Sequence, residues 1–233
     1  MGKIQRKYVT ALILLIIMKT FKTFLREEQS FDLDQFEKDC SFFFEQLKGT
    51  NGNKLMYRGT ESGGMAPWEI RDFRYRTKPR DSSLYLHNKL NDFFKDMVGE
   101  PIRNWMFVTG GREDANVYGK PFAIFPIGQF EWVCNIDTGE DRLSDMFGAA
   151  GYLAGKIFAA DKENKYSFDQ RQTMAADMLI KKLPHARWNI NEGLIECIDS
   201  RNEIHLKCKE YYKIDANSDL FYDIIKPRLA EIL

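Results

Sequence analysis

The sequence lacks several patterns that identify common classes of protein. Only four of its 233 residues are cysteines, and they include no Cys-x-x-Cys pair. This spacing predicts neither a structural zinc site nor a disulfide framework. Instead, we expect Cys40, Cys134, Cys197 and Cys208 to be reduced, mostly buried thiols in a reducing compartment.

The sequence also has few histidines, no common nucleotide-binding motif and no net charge. His87, His185 and His205 are too dispersed for a catalytic triad or a metal cluster, so we expect a structural role for each. The absence of Gly-x-Gly-x-x-Gly and of Gly-Lys-Ser/Thr argues against a Rossmann domain or a nucleotide hydrolase. Basic and acidic residues number 34 each. The molecule as a whole is therefore not expected to bind nucleic acid by its net charge. Binding of a polyanion by a local basic patch is left as an alternative.

Residues 1–30 differ from the rest of the chain. The apolar stretch from Ala11 to Met18 has basic flanks but no small-x-small cleavage site after it. It is also shorter than the roughly 20 residues that cross a bilayer. We therefore expect no stable membrane insertion, while a weak membrane association of the N-terminus stays open.

The segment from Met18 to Glu28 is short and amphipathic. It resembles the capsid-targeting peptides of internal head proteins in large tailed phages, which are cut after a Leu/Ile-x-Glu pattern that Leu25-Arg26-Glu27 matches. Glu28 departs from the small residue that usually follows the cut. The resemblance implies a phage-encoded protein in the capsid interior, located in the virion, the host cytoplasm or both. Whether residues 1–17 or 1–27 remain in the mature protein stays open.

Residues 31–233 are predicted to form one domain of the α+β class, because helices and strands are interspersed without a regular βαβ rhythm. One predicted helix begins at Asp32 or Asp34, a second begins at Ser82 or Ser83, and a third, short helix includes Ala115. Residues 141–183 are predicted to be helical, with a capping box at Ser167 and Gln170. A last helix is predicted over 219–232, with a bend at Pro227. The predicted strands cover 54–58, 105–109, 121–127, 130–135, 203–208 and 211–214, and residues 60–82 are predicted to be a connection.

Three short segments stand out in order along the chain. They are Leu55-Met-Tyr-Arg-Gly-Thr60, Phe107-Val-Thr-Gly-Gly111 followed by Ala115 and Tyr118, and Ser200-Arg-Asn-Glu-Ile-His-Leu206. Their order resembles the Arg–Ser–Glu class of mono-ADP-ribosyltransferases, over about 160 residues from Leu55 to Ile214. The resemblance implies a split core of two small, mostly antiparallel sheets around a cleft for NAD⁺, with flanking helices.

The resemblance also implies roles for individual residues. The Arg58 guanidinium, followed by Gly59, would bind the pyrophosphate of NAD⁺. The Glu203 carboxylate would stabilise the positive charge that develops on the ribose, and the Thr109 hydroxyl would hold both in register. Tyr118 or Phe122 would pack against the nicotinamide ring. NAD⁺ is then a substrate, and no metal is expected.

The sequence departs from the family pattern at several positions. Thr109 replaces the usual Ser, Gly110 and Gly111 replace the next Thr and Ser, and Arg201 stands where arginine- or asparagine-directed enzymes have Glu or Gln. The acceptor is therefore left open between a host protein and a nucleic acid.

Each site residue also has an ordinary structural interpretation. Arg58 suits a surface ion pair, Thr109 is a common strand former, and Glu203 suits a strand edge. Gln129-Phe-Glu131 supplies a rival glutamate, although it follows Thr109 by only about twenty residues. The basic run from Arg71 to Arg80 suits NAD⁺ phosphates, a nucleic acid, an acidic protein or a solvated loop.

The expected activity is transfer of ADP-ribose from NAD⁺ to a host macromolecule. Two alternatives stay open: a noncatalytic phage head or interaction protein that retains the fold, and an NAD⁺ glycohydrolase.

Overall fold

The structure, a computed structural model, describes residues 31–61, 66–76, 84–137, 165–181 and 183–233, together with residues 156 and 159. The predicted N-terminal targeting segment and much of the predicted helical region 141–183 lie outside these residues. Within the part that is described, no helix is both long and apolar enough to cross a membrane.

The chain alternates irregularly between helices and strands. The helices are α1 (Leu33–Asp39), α2 (Ser41–Gln46), α3 (Leu84–Val98), α4 (Arg112–Asn116), α5 (Phe168–Ile180), α6 (Leu194–Ser200) and α7 (Lys226–Ile232). The strands are β1 (Met56–Thr60), β2 (Trp68–Asp72), β3 (Met106–Val108), β4 (Lys120–Asn135), β5 (Trp188–Ile190) and β6 (Ile204–Asp215). Short 3₁₀ turns cover Ile102–Asn104 and Leu183–His185, and a π-helical turn, Leu220–Ile225, leads into α7.

Two long strands organise the sheet. β4 and β6 pair antiparallel along nearly their whole length, from Phe122 opposite Asp215 to Cys134 opposite Ile204. β1 and β5 pair with the outer side of β4, while β2 and β3 pair with the outer side of β6, all antiparallel. The mixed α+β class predicted from the sequence is confirmed.

The sheet also closes on itself at one point. Tyr57 of β1 and Thr109, which follows β3, exchange both backbone hydrogen bonds, at N···O distances of 2.7 and 2.9 Å. Since β1 pairs with β4 and β3 pairs with β6, this contact completes a ring of four strands. It brings the ends of β1 and β3 to the same place.

The strands predicted at 121–127 and 130–135 are one continuous strand, not two. The register shifts between Ile127 and Phe130, and Gly128 has φ of 66°, so Pro126-Ile-Gly128 makes a bulge instead of a hairpin turn. The strands predicted at 203–208 and 211–214 are likewise one strand, β6. As a result all six strands share one hydrogen-bonded sheet, where two small sheets were expected.

Three short elements were not predicted. β2 lies within the expected connection 60–82, and β5 and α6 follow the predicted helical region. Each has at most seven residues, which is too few for hydrophobic periodicity to stand out. Their positions are set by pairing with the long strands and by packing against them.

Several helix termini agree with the sequence. Asp32 caps α1 by accepting a hydrogen bond from Gln35 N, and Ser167 and Gln170 form a reciprocal capping box before α5. The first predicted helix breaks at Cys40, whose backbone is not helical, and α2 continues from there. Pro227 lies in the first turn of α7, where the π-helical turn ends.

Aromatic side chains fill the space between α1, α2 and the sheet. The Phe36 ring lies 5.0 Å from Phe125 and 5.2 Å from Tyr212, both edge to face. Phe43 packs against Phe125 and Phe130 on the neighbouring part of β4. Burying each such side chain contributes about 1.5–3 kcal/mol. These contacts attach the N-terminal helices to the long strands.

The prediction of four reduced thiols is wrong for two of them. Cys134 of β4 and Cys197 of α6 form a disulfide with a Cα–Cα distance of 5.8 Å, while Cys40 and Cys208 are buried and free as predicted. The bonded pair is separated by 63 residues, so only the packing of α6 on β4 reveals it. The inference of a reducing compartment from cysteine usage therefore loses its basis.

We expect reduction of this disulfide to lower stability, because the bond closes a long loop in the unfolded chain. Loop-closure entropy predicts a loss of about 4 kcal/mol in the free energy of unfolding. The measurement is urea unfolding with and without reductant, with Cys134→Ser/Cys197→Ser as the control that reductant should not affect. Finding four reactive thiols in the unreduced, denatured protein, instead of two, contradicts the bond.

Candidate functional site

A cavity of about 230 Å³ opens where the ends of β1 and β3 meet. Five residues singled out from the sequence line it: Arg58, Gly59, Thr109, Tyr118 and Glu203. They come from three segments that are separated by up to 145 residues in the chain. We refer to this feature as the Arg58 cavity.

Strand β1 places Arg58 on the cavity wall. Arg58 stands opposite Phe122 in the pairing of β1 with β4. The next residue, Gly59, faces α4 so closely that a Cβ atom there would lie 1.9 Å from the Ala115 carbonyl oxygen. A glycine is required by this approach, which brings Ala115 and Tyr118 against the cavity.

Thr109 and Glu203 come from neighbouring strands. Val108, the last residue of β3, stands opposite Ile204, the first residue of β6. Thr109 and Glu203 are therefore adjacent across the same antiparallel pair, one step beyond the strand ends. The Thr109 hydroxyl donates a hydrogen bond to the Arg201 carbonyl oxygen over 3.1 Å, which ties it to the turn that precedes Glu203.

That turn is held by side chains on both of its flanks. Arg201 adopts a left-handed backbone with φ of 58°, and its guanidinium pairs with Asp114 of α4 over 2.8 Å. The buried Asn202 side chain donates to the carbonyl oxygens of Asn135 and Asp137 at 2.8 and 2.9 Å. With its two preceding residues fixed, Glu203 enters the cavity from a defined direction.

The Glu203 carboxylate is paired with an arginine that the sequence did not point to. Arg103 Nη1 lies 2.7 Å from Glu203 Oε2. The Arg103 side chain is only 7% exposed and Glu203 is 24% exposed. Arg103 is itself anchored, because its backbone N–H donates to Asn91 Oδ1 on α3 over 3.0 Å. The pair orients the carboxylate.

The Phe107 side chain lines the cavity and contacts two guanidinium groups. The guanidinium carbons of Arg76 and Arg103 lie 4.2 and 4.4 Å from its ring centroid, within cation–π distance. The buried His205 ring meets it nearly at right angles, with centroids 4.7 Å apart. Arg76 belongs to the basic run noted in the sequence, whereas Arg103 carries no sequence signal because its partner is 100 residues away.

The prediction that Phe122 packs against a bound ring needs correction. Phe122 is 1% exposed and belongs to the central core, so it does not reach the Arg58 cavity. The buried Lys213 ammonium lies 3.9 Å from its ring centroid, which fixes its role as a packing residue. Residues 121–126 of β4 are all buried, so burial of Phe122 follows from the packing around this half of the strand. Tyr118, which is exposed, is left as the aromatic candidate of the two.

The rival glutamate, Glu131, lies on a different surface. It stands opposite Lys207 in the β4–β6 pairing and forms an ion pair with it over 3.0 Å. Burial alone would lower the pKa of Lys207, but its hydrogen bonds to Glu100 and Glu131 outweigh burial and raise it. Glu131 lines a separate groove with Phe73 and Tyr75. The Arg58 cavity contains Glu203 instead.

Tyr57 supplies a protonated hydroxyl next to the site. It lines the Arg58 cavity and also a second, larger cavity of about 480 Å³ beside Gly110 and Arg112. Burial raises the pKa of Tyr57 to about 12, although the nearby Arg112 opposes the shift. At neutral pH the phenol therefore stays neutral and can donate a hydrogen bond.

Among the described residues, no group of three or more His, Cys, Asp or Glu side chains is arranged to hold a metal ion. Comparison with protein-family models, with curated proteins and with solved structures finds no match to this chain.

We expect His205 to make stability depend on pH. Burial, together with the charges of Arg103 and Arg76, holds its pKa well below the usual value of 6.5, so it is neutral when folded. The unfolded chain binds a proton below about pH 6.5 that the folded protein does not. The free energy of unfolding should therefore fall with decreasing pH between about 6.5 and 5, by up to about 1.4 kcal/mol per pH unit.

The measurement is urea unfolding across this pH range for the wild type and His205→Leu, which removes the titrating group at similar volume. The variant should show a flatter dependence. Exposed His185→Gln is the control and should match the wild type. Burial also lowers the pKa of His87, so the difference between variant and wild type isolates His205. Equal slopes for His205→Leu and the wild type would contradict the expectation.

Proposed function

We propose that this protein is a mono-ADP-ribosyltransferase that transfers ADP-ribose from NAD⁺ to a host macromolecule. The observation that carries the proposal is the meeting of Arg58, Thr109 and Glu203 at one cavity. They are the same three residues to which the order of short sequence motifs, and the family resemblance that it carries, points. Their separate structural interpretations do not require them to share a surface.

The sizes of two neighbouring cavities suggest where the parts of NAD⁺ would lie. Its volume of about 230 Å³ is below the roughly 300–1,000 Å³ of typical small-ligand pockets, so it suits the nicotinamide and its ribose only. Arg58 also lines a neighbouring cavity of about 180 Å³ with Arg71 and Arg74. The pyrophosphate would lie at Arg58, between the two cavities, where a guanidinium can donate two parallel hydrogen bonds.

Glu203 would act on the reacting sugar. When the bond between nicotinamide and C1′ breaks, nicotinamide leaves with the electron pair and positive charge develops on the ribose. A carboxylate bonded to the 2′-hydroxyl stabilises that charge, and Arg103 would keep the carboxylate oriented for it. The acceptor then bonds to C1′ and loses its proton. Tyr118 would cover the nicotinamide ring.

The sheet is compatible with the core expected for this family. The bulge between Ile127 and Phe130 divides β4 into two halves, one beside β1 and the other beside β5. The cavity lies at the ring contact between Tyr57 and Thr109. We propose that the two halves correspond to the two small sheets of the family.

Arg201 bears on the acceptor. Its guanidinium is engaged by Asp114 and Glu113 of α4. It therefore helps to hold the turn before Glu203, in place of the Glu or Gln that orients an arginine or asparagine acceptor in related enzymes.

We further propose that the enzyme is phage-encoded, enters with the virion and acts in the host cytoplasm.

We expect Glu203→Gln to reduce transfer by at least about 100-fold, because the neutral amide no longer stabilises the cationic sugar. The measurement is incorporation of label into macromolecules from NAD⁺ labelled in its ADP-ribose part, after incubation with a bacterial lysate. Glu192→Gln is the matched control and should retain activity, since this exposed residue lines neither the Arg58 cavity nor the neighbouring grooves described above. Thermal unfolding of both variants checks that they fold.

The other outcomes separate the alternatives. Release of free ADP-ribose without a labelled macromolecule indicates an NAD⁺ glycohydrolase. A protein that consumes no NAD⁺ at all would be a noncatalytic interaction protein. Loss of activity in Glu131→Gln, with Glu203→Gln unaffected, would place the catalytic carboxylate on the other surface.

We expect Arg58→Lys to raise the KM for NAD⁺ by about tenfold with a smaller effect on kcat. The ammonium keeps the charge but cannot donate two parallel hydrogen bonds to the pyrophosphate. Initial rates at varied NAD⁺ concentration measure the split between KM and kcat. An unchanged KM would show that the pyrophosphate does not lie at Arg58.

A further inference from the structure

Residues 73–76 follow β2, belong to no helix or strand, and are fixed at both ends. Phe73 N donates to the Lys209 carbonyl oxygen of β6 over 2.9 Å, and Arg76 N donates to the Asn104 carbonyl oxygen over 2.6 Å. The segment therefore crosses from the edge of the sheet to the turn that carries Arg103. We refer to it as the strap.

Aromatic and basic side chains alternate along the strap and face different cavities. Phe73 and Tyr75 line a groove of about 420 Å³ with Phe130, Lys207 and Lys209, which we call the Tyr75 groove. Arg74 lines the neighbouring cavity that also contains Arg58 and Arg71. Arg76 lines the Arg58 cavity itself.

Tyr75 presents an aromatic surface to solvent. Its side chain is 52% exposed, and the Phe73 ring supports it edge to face with centroids 5.0 Å apart. A groove of about 420 Å³ lies within the range of small-ligand pockets, so it can hold a flat ring against Tyr75. An exposed aromatic ring between cations is the arrangement that single-stranded nucleic acids use, because bases stack on the ring while phosphates meet the cations.

The charges around the groove favour the same ligand. The Lys209 side chain, which lines the groove, is 90% exposed, at 3.9 Å from Glu210, and Arg74 is exposed next to Tyr75 on the neighbouring cavity. Lys207 is different because Glu100 and Glu131 already neutralise it. An acidic peptide would meet the same cations but would leave the Tyr75 ring without a stacking partner. Bases and phosphates together account for both features.

We infer that the Tyr75 groove binds a single-stranded nucleic acid, with a base stacked on Tyr75, one phosphate at Lys209 in the groove and another at Arg74, where the strand passes over the strap into the neighbouring cavity. The role of that strand rests on the proposed function. Because Arg76 of the same strap lines the Arg58 cavity, a strand held here lies beside the reacting centre and is the acceptor of ADP-ribose. The binding itself does not depend on NAD⁺.

The test is fluorescence anisotropy of a labelled single-stranded 12-mer with the full chain, without NAD⁺, at several salt concentrations. Tyr75→Ala should weaken binding by at least about fivefold, since one stacked base is lost, while Tyr75→Phe retains affinity. Arg74→Ala should weaken binding and reduce the slope of log K against log salt by about 0.7. Exposed Tyr166→Ala and Lys48→Ala are the matched controls and should bind as the wild type does.

Three results would overturn the inference: no binding of the strand by the wild type, equal affinity of Tyr75→Ala and the wild type, or tighter binding of a duplex or a poly-glutamate peptide than of the single strand. The proposed function fails separately, through the absence of NAD⁺ turnover. If the wild type binds the strand but consumes no NAD⁺, the nucleic-acid groove is supported and the proposed enzymatic activity is contradicted. If the wild type consumes NAD⁺ but binds no strand, the proposed enzymatic activity is supported and the inference of a nucleic-acid acceptor is contradicted.

Discussion

Two backbone hydrogen bonds between Tyr57 and Thr109 hold the candidate site together. They join β1 to the end of β3, and β3 is attached to β6 through the register that places Val108 opposite Ile204. Arg58, Thr109 and Glu203 lie within one or two residues of these contacts. A change that separates β1 from β3 would move the guanidinium away from the carboxylate while leaving the long β4–β6 pair intact.

Around this contact, charged side chains are held in place by partner residues. Arg103 orients Glu203, Arg201 is engaged by α4, and Phe107 is flanked by Arg76 and Arg103. A partly buried carboxylate is costly without a partner, and removing Arg103 would leave Glu203 without this one. Burial, together with the charges of Arg103 and Arg76, lowers the pKa of His205 and keeps it neutral. The electrostatics of the cavity therefore depend in part on Arg103 and Arg201, which do not line it.

The strap links the cavity to its surroundings. Its four residues contribute to three cavities. Arg76 faces the proposed reacting centre, whereas Tyr75 faces the groove proposed for a nucleic acid. The proposed acceptor and NAD⁺ would then be positioned by one segment, and its hydrogen bonds to Lys209 and Asn104 set the spacing between them.

The sequence by itself determined the α+β class, the cap at Ser167, a cap at either Asp32 or Asp34, and the candidates Arg58, Gly59, Thr109, Tyr118 and Glu203, because capping, periodicity and short motifs are local patterns. Only the tertiary structure decided that β4 is one bulged strand, that Phe122 is buried, that Cys134 bonds to Cys197, and that Arg103 pairs with Glu203. Each of these depends on strand register or on contacts between residues far apart in the chain. Neither leaves a periodic signal in the sequence.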